Sequence, residues 1–258
     1  MSSDLVPSFP EWMKQSFPKV RPALPPRYQA IYFEEYKYNR GPDHRWTLKQ
    51  RLERWMHAQA ADTSLSGPIL EIGAGTLNHV PYEPAHPAYD IVEPFTALYA
   101  GSVHRSRIRH SYDSVHSVSP DQRYVRIIAI AVLEHVRDLP DLVARTALLL
   151  DEQGEFTAGI PSEGGLLWYL AWRLGTGVPF WLRRRLDYRV LMRHEHVNRA
   201  GEIGAIIGLF FDDVTIHRFP TPWHHLSFYA SLRATHPRKR RAEAWLADRG
   251  RTLHHADA

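Results

Sequence analysis

Residues 67–95 constrain the fold of this chain more than any other stretch. They open with Gly-Pro-Ile-Leu-Glu-Ile-Gly-Ala-Gly-Thr-Leu-Asn-His-Val and close with Tyr-Asp-Ile-Val-Glu-Pro-Phe. Residues 68–72 are a short apolar run of the kind buried in a parallel sheet. Gly73 and Gly75 then let the backbone turn sharply and approach a ligand with no Cβ in the way. Residues 88–92 predict a second strand, and Glu93 stands at its carboxyl end, where a carboxylate accepts hydrogen bonds from the two hydroxyls of a ribose. Ligands of open α/β sheets lie at such strand ends. Strand, glycine loop, strand and acid together read as half of a nucleoside site.

A dinucleotide is the first ligand to weigh against that pattern. Its pyrophosphate needs a helix N-terminus and a third glycine for close strand–helix packing, and Asn78 stands at that third position. The continuation decides the matter. Residues 124–132, Tyr-Val-Arg-Ile-Ile-Ala-Ile-Ala-Val, are rich in β-branched side chains and run into Leu133-Glu134-His135-Val136. Asp138-Leu139-Pro140 then opens an apolar-periodic helix through Leu150, and Gly154-Glu155-Phe156 leads a strand that ends at Ile160-Pro161-Ser162.

This order resembles the class I S-adenosyl-L-methionine-dependent methyltransferases, closely over residues 67–162 and more loosely over 201–233. The resemblance implies a doubly wound, Rossmann-like α/β fold with a seven-stranded, mostly parallel sheet and helices on both faces. It also implies that Glu71 positions the methionine ammonium of S-adenosylmethionine, that Gly73, Ala74 and Gly75 form the cofactor loop, and that Glu93 holds the ribose. Pro94 and Phe95 then flank the sugar or adenine, and Tyr112 and Asp113, after a third strand over 107–110, flank the adenine and accept from its amino group. Two departures stand out: Leu77 where a methyltransferase often has glycine, and Val125 where many relatives begin the fourth strand with aspartate. A non-catalytic module on the same fold is the competing class, since fold alone does not establish activity; Gly73, Gly75 and Glu93 argue against it.

The 258 residues suffice for one sizeable α/β domain with elaborations. The expected division is an aromatic, helical arm over 1–66, a core over 67–236 with an inserted cap over 163–200, and a basic tail over 237–258. With no cysteine, neither disulfides nor thiolate metal sites are available. No run reaches the roughly 18 apolar residues of a membrane span, and the first residues lack a signal pattern, so a cytoplasmic protein is expected. The formal net charge is +4. The excess concentrates in Arg183-Arg184-Arg185 and Arg238-Lys239-Arg240-Arg241, which read as solvated faces or as attraction to phosphates or an anionic membrane. No nucleic-acid module accompanies them.

In the arm, Tyr28, Tyr32, Phe33, Tyr36 and Tyr38 oppose disorder and predict a helix over 27–38; Trp46, Leu48, Leu52, Trp55 and Met56 predict another over 45–61. The cap starts with residues 166–174, apolar nearly all round and therefore expected to be covered on several sides. Gly175-Thr176-Gly177 is expected to break it, with a second amphipathic piece over 178–191. Trp168, Trp172 and Trp181 ahead of the arginine triplet leave peripheral membrane contact as a lesser alternative. A return helix over 200–209 and strands over 211–218 and 226–233 complete the core.

Methyl transfer is an in-line displacement, so most of the acceleration comes from holding donor and acceptor aligned and dry. A hydroxyl acceptor must also lose a proton, which suits histidine. His135, after the fourth strand, is one candidate; His194 and His196, in Arg-His-Glu-His-Val-Asn, are the others. The same His-x-His spacing with Glu163 or Glu195 invites a metal, but in a chain with 16 histidines such spacing arises easily by chance, and no metal is expected. Residues 160–165, Ile-Pro-Ser-Glu-Gly-Gly, and the following cap resemble bacterial methyltransferases of surface polysaccharide synthesis, which implies a small-molecule acceptor such as a saccharide or nucleotide-linked sugar.

Overall fold

The structure is a computed structural model that describes residues 8–40, 48–61, 63–84 and 88–256, with the side chains of 36–40, 48–50 and 251–256 outside that description. Trp46 and the rings of Tyr36 and Tyr38 therefore lie outside the described residues. The elements run α1 (Glu11–Ser16), α2 (Pro26–Arg40), α3 (Leu48–Ala61), β1 (Ile69–Ile72), β2 (Tyr89–Val92), β3 (Ile108–Tyr112), β4 (Tyr124–Ile130) and α4 (Leu139–Leu149). There follow β5 (Leu150–Pro161), α5 (Leu166–Trp172), α6 (Val178–Arg184), α7 (Arg189–Glu195), α8 (Ala200–Phe210), β6 (Phe211–Pro220), β7 (Ser227–Pro237) and α9 (Lys239–Ala256).

Seven strands form one sheet in the order β3-β2-β1-β4-β5-β7-β6, parallel except for β7, which runs antiparallel to β5 and β6. The order reverses between β1 and β4, and that switch point opens a crevice at the strands' carboxyl ends. Strands β1 and β2 are buried along their whole length, as strands covered on both faces are, and the one carboxylate in each, Glu71 and Asp90, is hydrogen-bonded. Phe9, Met13 and Phe17 join buried side chains of α4, α8 and α9 in the larger core cluster, while Leu52 and Met56 of α3 pack with Tyr229 of β7 in a separate one. Among its described residues, the connection from β1 to β2 carries a 3-10 turn, Val80–Tyr82, and no α-helix.

Several expectations are corrected. The third strand sits at 108–112, and the last two run past their predicted ends at 218 and 233, to Pro220 and Pro237. Residues 173–177 do not break the cap helix but continue it as a π-helical turn, Arg173–Gly177. The piece expected over 178–191 is two helices, because Arg185 adopts a left-handed conformation with φ of 56° and ends α6. Leu166, Leu170, Leu174, Trp181 and Leu182 are exposed, so the cap is covered on its inner side alone.

The basic segments are tied into the fold. Arg183 and Arg184 both bond the buried Glu35 carboxylate, each at 3.0 Å, and clamp the cap to α2. The expected tail is helix α9, whose Trp245 is fully buried and meets Phe9 edge-on at 5.1 Å.

Candidate functional site

The glycine loop follows β1 at the switch point. Gly73 has φ of 71°, and a Cβ there would meet Val132 Cγ2 at 2.1 Å, so the turn after β4 presses against this backbone. Gly75 has φ of 51° with open space where a Cβ would be. Leu77, at the position where the family often has glycine, holds φ of 66° while fully buried. A left-handed residue with a side chain costs roughly 1–2 kcal/mol, and packing of the leucine offsets it. Glu93 spans the loop: its Oε2 accepts from Gly75 N–H at 2.9 Å and its Oε1 from Phe95 N–H at 3.0 Å. An ionised carboxylate has about four acceptor positions, so two remain for ribose hydroxyls.

Glu71 lies beneath the loop, buried, accepting from the Tyr89 hydroxyl at 2.8 Å. Burial pushes its carboxyl up to about 7, against the opposing influence of His79 and Tyr89. A second buried group adjoins it. Arg126 forms a fork with Glu83 at 2.7 and 2.9 Å, and His79 Nε2 meets the same carboxylate at 2.8 Å. Burial alone would raise Glu83, but the bonds from His79 and Arg126 hold it down to about 2. Pro94 and Phe95 are exposed after β2. Tyr112, half-buried, ends β3, and its carbonyl accepts from Glu93 N–H at 2.9 Å; Asp113 beside it is exposed.

The histidine candidates divide. His135 and His196 are brought together, their rings edge-on at 4.7 Å. His135 Nδ1 lies 2.9 Å from the Glu195 carbonyl and its Nε2 3.9 Å from Glu134 Oε1. His196 Nδ1 bonds the Glu163 carboxylate. Burial pulls His196 down, yet Glu163, Glu134 and Glu195 outweigh it and raise the ring above its ordinary value. His194 is turned away, with Nδ1 at 2.8 Å from the Pro22 carbonyl and its ring edge-on to Tyr32.

Asn198 explains why the pair meets. It is fully buried, donates to the carbonyls of Leu133 at 2.7 Å and Val136 at 2.6 Å, and its own N–H joins that of Val197 on the Glu134 carbonyl. These bonds fasten the return from the cap to the turn after β4. Beyond His196 and Glu163 opens a cleft of about 1020 Å³ walled by Lys19, Trp168, Tyr169, Trp172, Arg193 and His225. The arm's share of this wall, Gln15 to Pro22, carries no motif, and the sequence reading missed it. The only hint was the arm's aromatic content.

No protein-family model matches the chain, and no curated protein matches its sequence. Solved structures do match its fold. An S-adenosylmethionine-dependent methyltransferase of Thermotoga maritima, described as a possible histamine N-methyltransferase, aligns over 81% of this chain and 98% of its own at 13% identity and a TM-score of 0.52. The N-methyltransferase NodS of Bradyrhizobium japonicum, solved with S-adenosyl-L-homocysteine, aligns over 82% and 98% at 14% identity and a TM-score of 0.51. Phosphoethanolamine N-methyltransferase 2 of Haemonchus contortus, solved with S-adenosyl-L-methionine, aligns over 82% and 58% at 11% identity and 0.51. The chain has the class I methyltransferase fold.

Proposed function

We propose that this protein is an S-adenosylmethionine-dependent methyltransferase acting on a hydroxyl or amine of a small molecule, a saccharide or nucleotide-linked sugar. The observation that carries the reading is the Gly75–Glu93 closure at the switch point, with two acceptor positions of Glu93 left for a ribose. In this reading Glu71 faces the methionine ammonium, Gly73, Ala74 and Gly75 carry the methionine, and Pro94, Phe95, Tyr112 and Asp113 border the adenosine. His135 and His196 face the acceptor, and His194 belongs to the contact between cap and arm.

The cleft supports the acceptor class. Trp168, Tyr169 and Trp172 offer flat apolar faces for a pyranose, while Glu163, Arg193 and His196 supply polar contacts that fix its orientation. Lys19, Arg193 and Arg199 suit a phosphate. The test is mass spectrometry of ligands copurifying with the protein, beside calorimetric titration with S-adenosylmethionine. Binding of the cofactor and a bound or methylated sugar are expected; absence of cofactor binding by a folded protein would refute the reading.

A second reading, a lipid-linked acceptor with the protein resting on a membrane surface, is favoured by the exposed Leu166, Leu170, Leu174, Trp181 and Leu182 and by Arg185 over the Trp181 ring at 4.8 Å. No helix among the described residues is long and apolar enough to cross a membrane. Flotation with anionic liposomes, lost in a Leu174→Ser, Trp181→Ser variant, would put this reading first.

A further inference from the structure

Between the glycine loop and the cap cleft, two imidazoles and a buried carboxylate converge. One ligating atom from each of Glu134, His135 and His196 lies within 4.8 Å of the others. The three come from two separated stretches, the turn after β4 and the end of α7, and the buried Asn198 bonds these stretches together.

The orientation of the rings is the informative part. A backbone carbonyl can only accept, so His135 Nδ1, 2.9 Å from the Glu195 carbonyl, carries a hydrogen and leaves Nε2 as the ligating nitrogen. That Nε2 is the atom facing Glu134, at 3.9 Å. His196 likewise spends Nδ1 on the Glu163 carboxylate. Metal-binding histidines commonly donate their second nitrogen to a carbonyl or a carboxylate, which fixes ring and tautomer, and here one ring has each kind of partner. Three carboxylates, Glu134, Glu163 and Glu195, surround the two rings and favour a cation among them.

We propose that Glu134, His135 and His196 form a divalent metal site of the zinc type, whose open position faces the cleft and takes an oxygen of the acceptor. Two nitrogens and one carboxylate oxygen are a ligand set that zinc uses in catalytic sites, with the fourth position open. Bonds of about 2.0–2.2 Å put tetrahedral ligand atoms roughly 3.4 Å apart, so the three side chains close inward onto the ion. Glu163 and the Glu195 carbonyl act as positioning groups on the far side of each ring. The ion's role toward an acceptor rests on the methyl-transfer reading; the ion site itself does not.

The experiment uses the full chain, stripped with chelator and titrated calorimetrically with Zn²⁺ alone, with Co²⁺ absorption as a second readout of the ligand field. One ion per chain is expected. His196→Asn and Glu134→Gln should each weaken it more than tenfold, Glu163→Gln by about tenfold, and His194→Asn should leave it unchanged. Zn²⁺ should also raise the melting temperature of the wild type and not of His196→Asn, a largely buried position whose folding is checked in the same scan. No ion bound by the wild type, or equal binding by His196→Asn, overturns the proposal and leaves a hydrogen-bonded His–Glu array. Titration of the stripped protein with S-adenosylhomocysteine separates the two readings: cofactor binding without Zn²⁺ binding refutes the metal site alone, and Zn²⁺ binding without cofactor refutes the methyltransferase alone.

Discussion

Replacing Glu93 with alanine removes two different things, and the structure allows them to be weighed apart. The first is structural. Gly75 and Phe95 N–H groups both lose their acceptor at a carboxylate that is only 6% exposed. Both donors are partly open to water, which replaces much of the lost acceptor, so at about 0.5–1.5 kcal/mol net per bond a loss of about 1–3 kcal/mol is expected without cofactor. The second is the proposed ribose contact. Hydrogen bonds to an ionised acceptor are worth about 1.5–3 kcal/mol, which weakens S-adenosylhomocysteine by roughly ten- to a hundredfold. Glu93→Gln retains one acceptor oxygen and should fall between alanine and wild type on both scales. Thermal unfolding reads the first effect, and calorimetry below the melting range reads the second. A cooperatively folded Glu93→Ala protein that binds within about twofold of wild type would remove Glu93 from the cofactor site.

Three further outcomes are expected. Glu71, held near 7 by burial, must be ionised to face an ammonium, so cofactor affinity should level off above pH 7 and fall by up to about tenfold per unit below it; parallel profiles for wild type and Glu71→Gln would refute this. Leu77→Gly relieves a left-handed leucine worth roughly 1–2 kcal/mol but empties a buried site, for which even Leu→Ala costs about 2–5 kcal/mol, so denaturant melts should show net destabilisation, and a gain would refute the packing account. Glu83, held near 2 by His79 and Arg126 against burial, stabilises the fold above its unfolded value near 4.5 and loses that contribution as the pH falls toward 2. Arg126→Ala strands this carboxylate and should cost about 3–5 kcal/mol, with its acid sensitivity reduced relative to wild type in melts from pH 6 to 3.

The strands and loop of the proposed cofactor half were legible in the chain because their physics is local. The runs around Leu70 and Ile91, the two glycines and Glu93 each act within a few residues, and the strand order follows from their alternation with helices. Leu77 was legible too, as a side chain where the backbone prefers none. The acceptor half was not. The arm that walls the cleft has no motif, and the pairing of His135 with His196 depends on Asn198, whose three bonds span more than 60 residues of sequence. The burial of α9 was hidden by its charge: among Lys239, Arg240 and Arg241, only Ala242 and Trp245 mark the buried face. The π-turn escaped because glycine at 175 and 177 reads as a stop, whereas the flanking apolar residues carry the helix through.

The arm and α9 are joined by Phe9 against Trp245, by Arg241 on the Ser8 carbonyl at 3.0 Å and by Arg249 on the Phe17 carbonyl at 3.2 Å. Segments 230 residues apart therefore hold each other, and one of them walls the cap cleft. Contacts of such separation form late, since a long loop must close first. During synthesis the sheet and glycine loop have all their residues once β7 has emerged, while the arm waits for Trp245. The sheet and its glycine loop thus have all their residues before the helix that fastens the arm exists, and the wall of the cap cleft is the part of the molecule that must wait for the end of the chain.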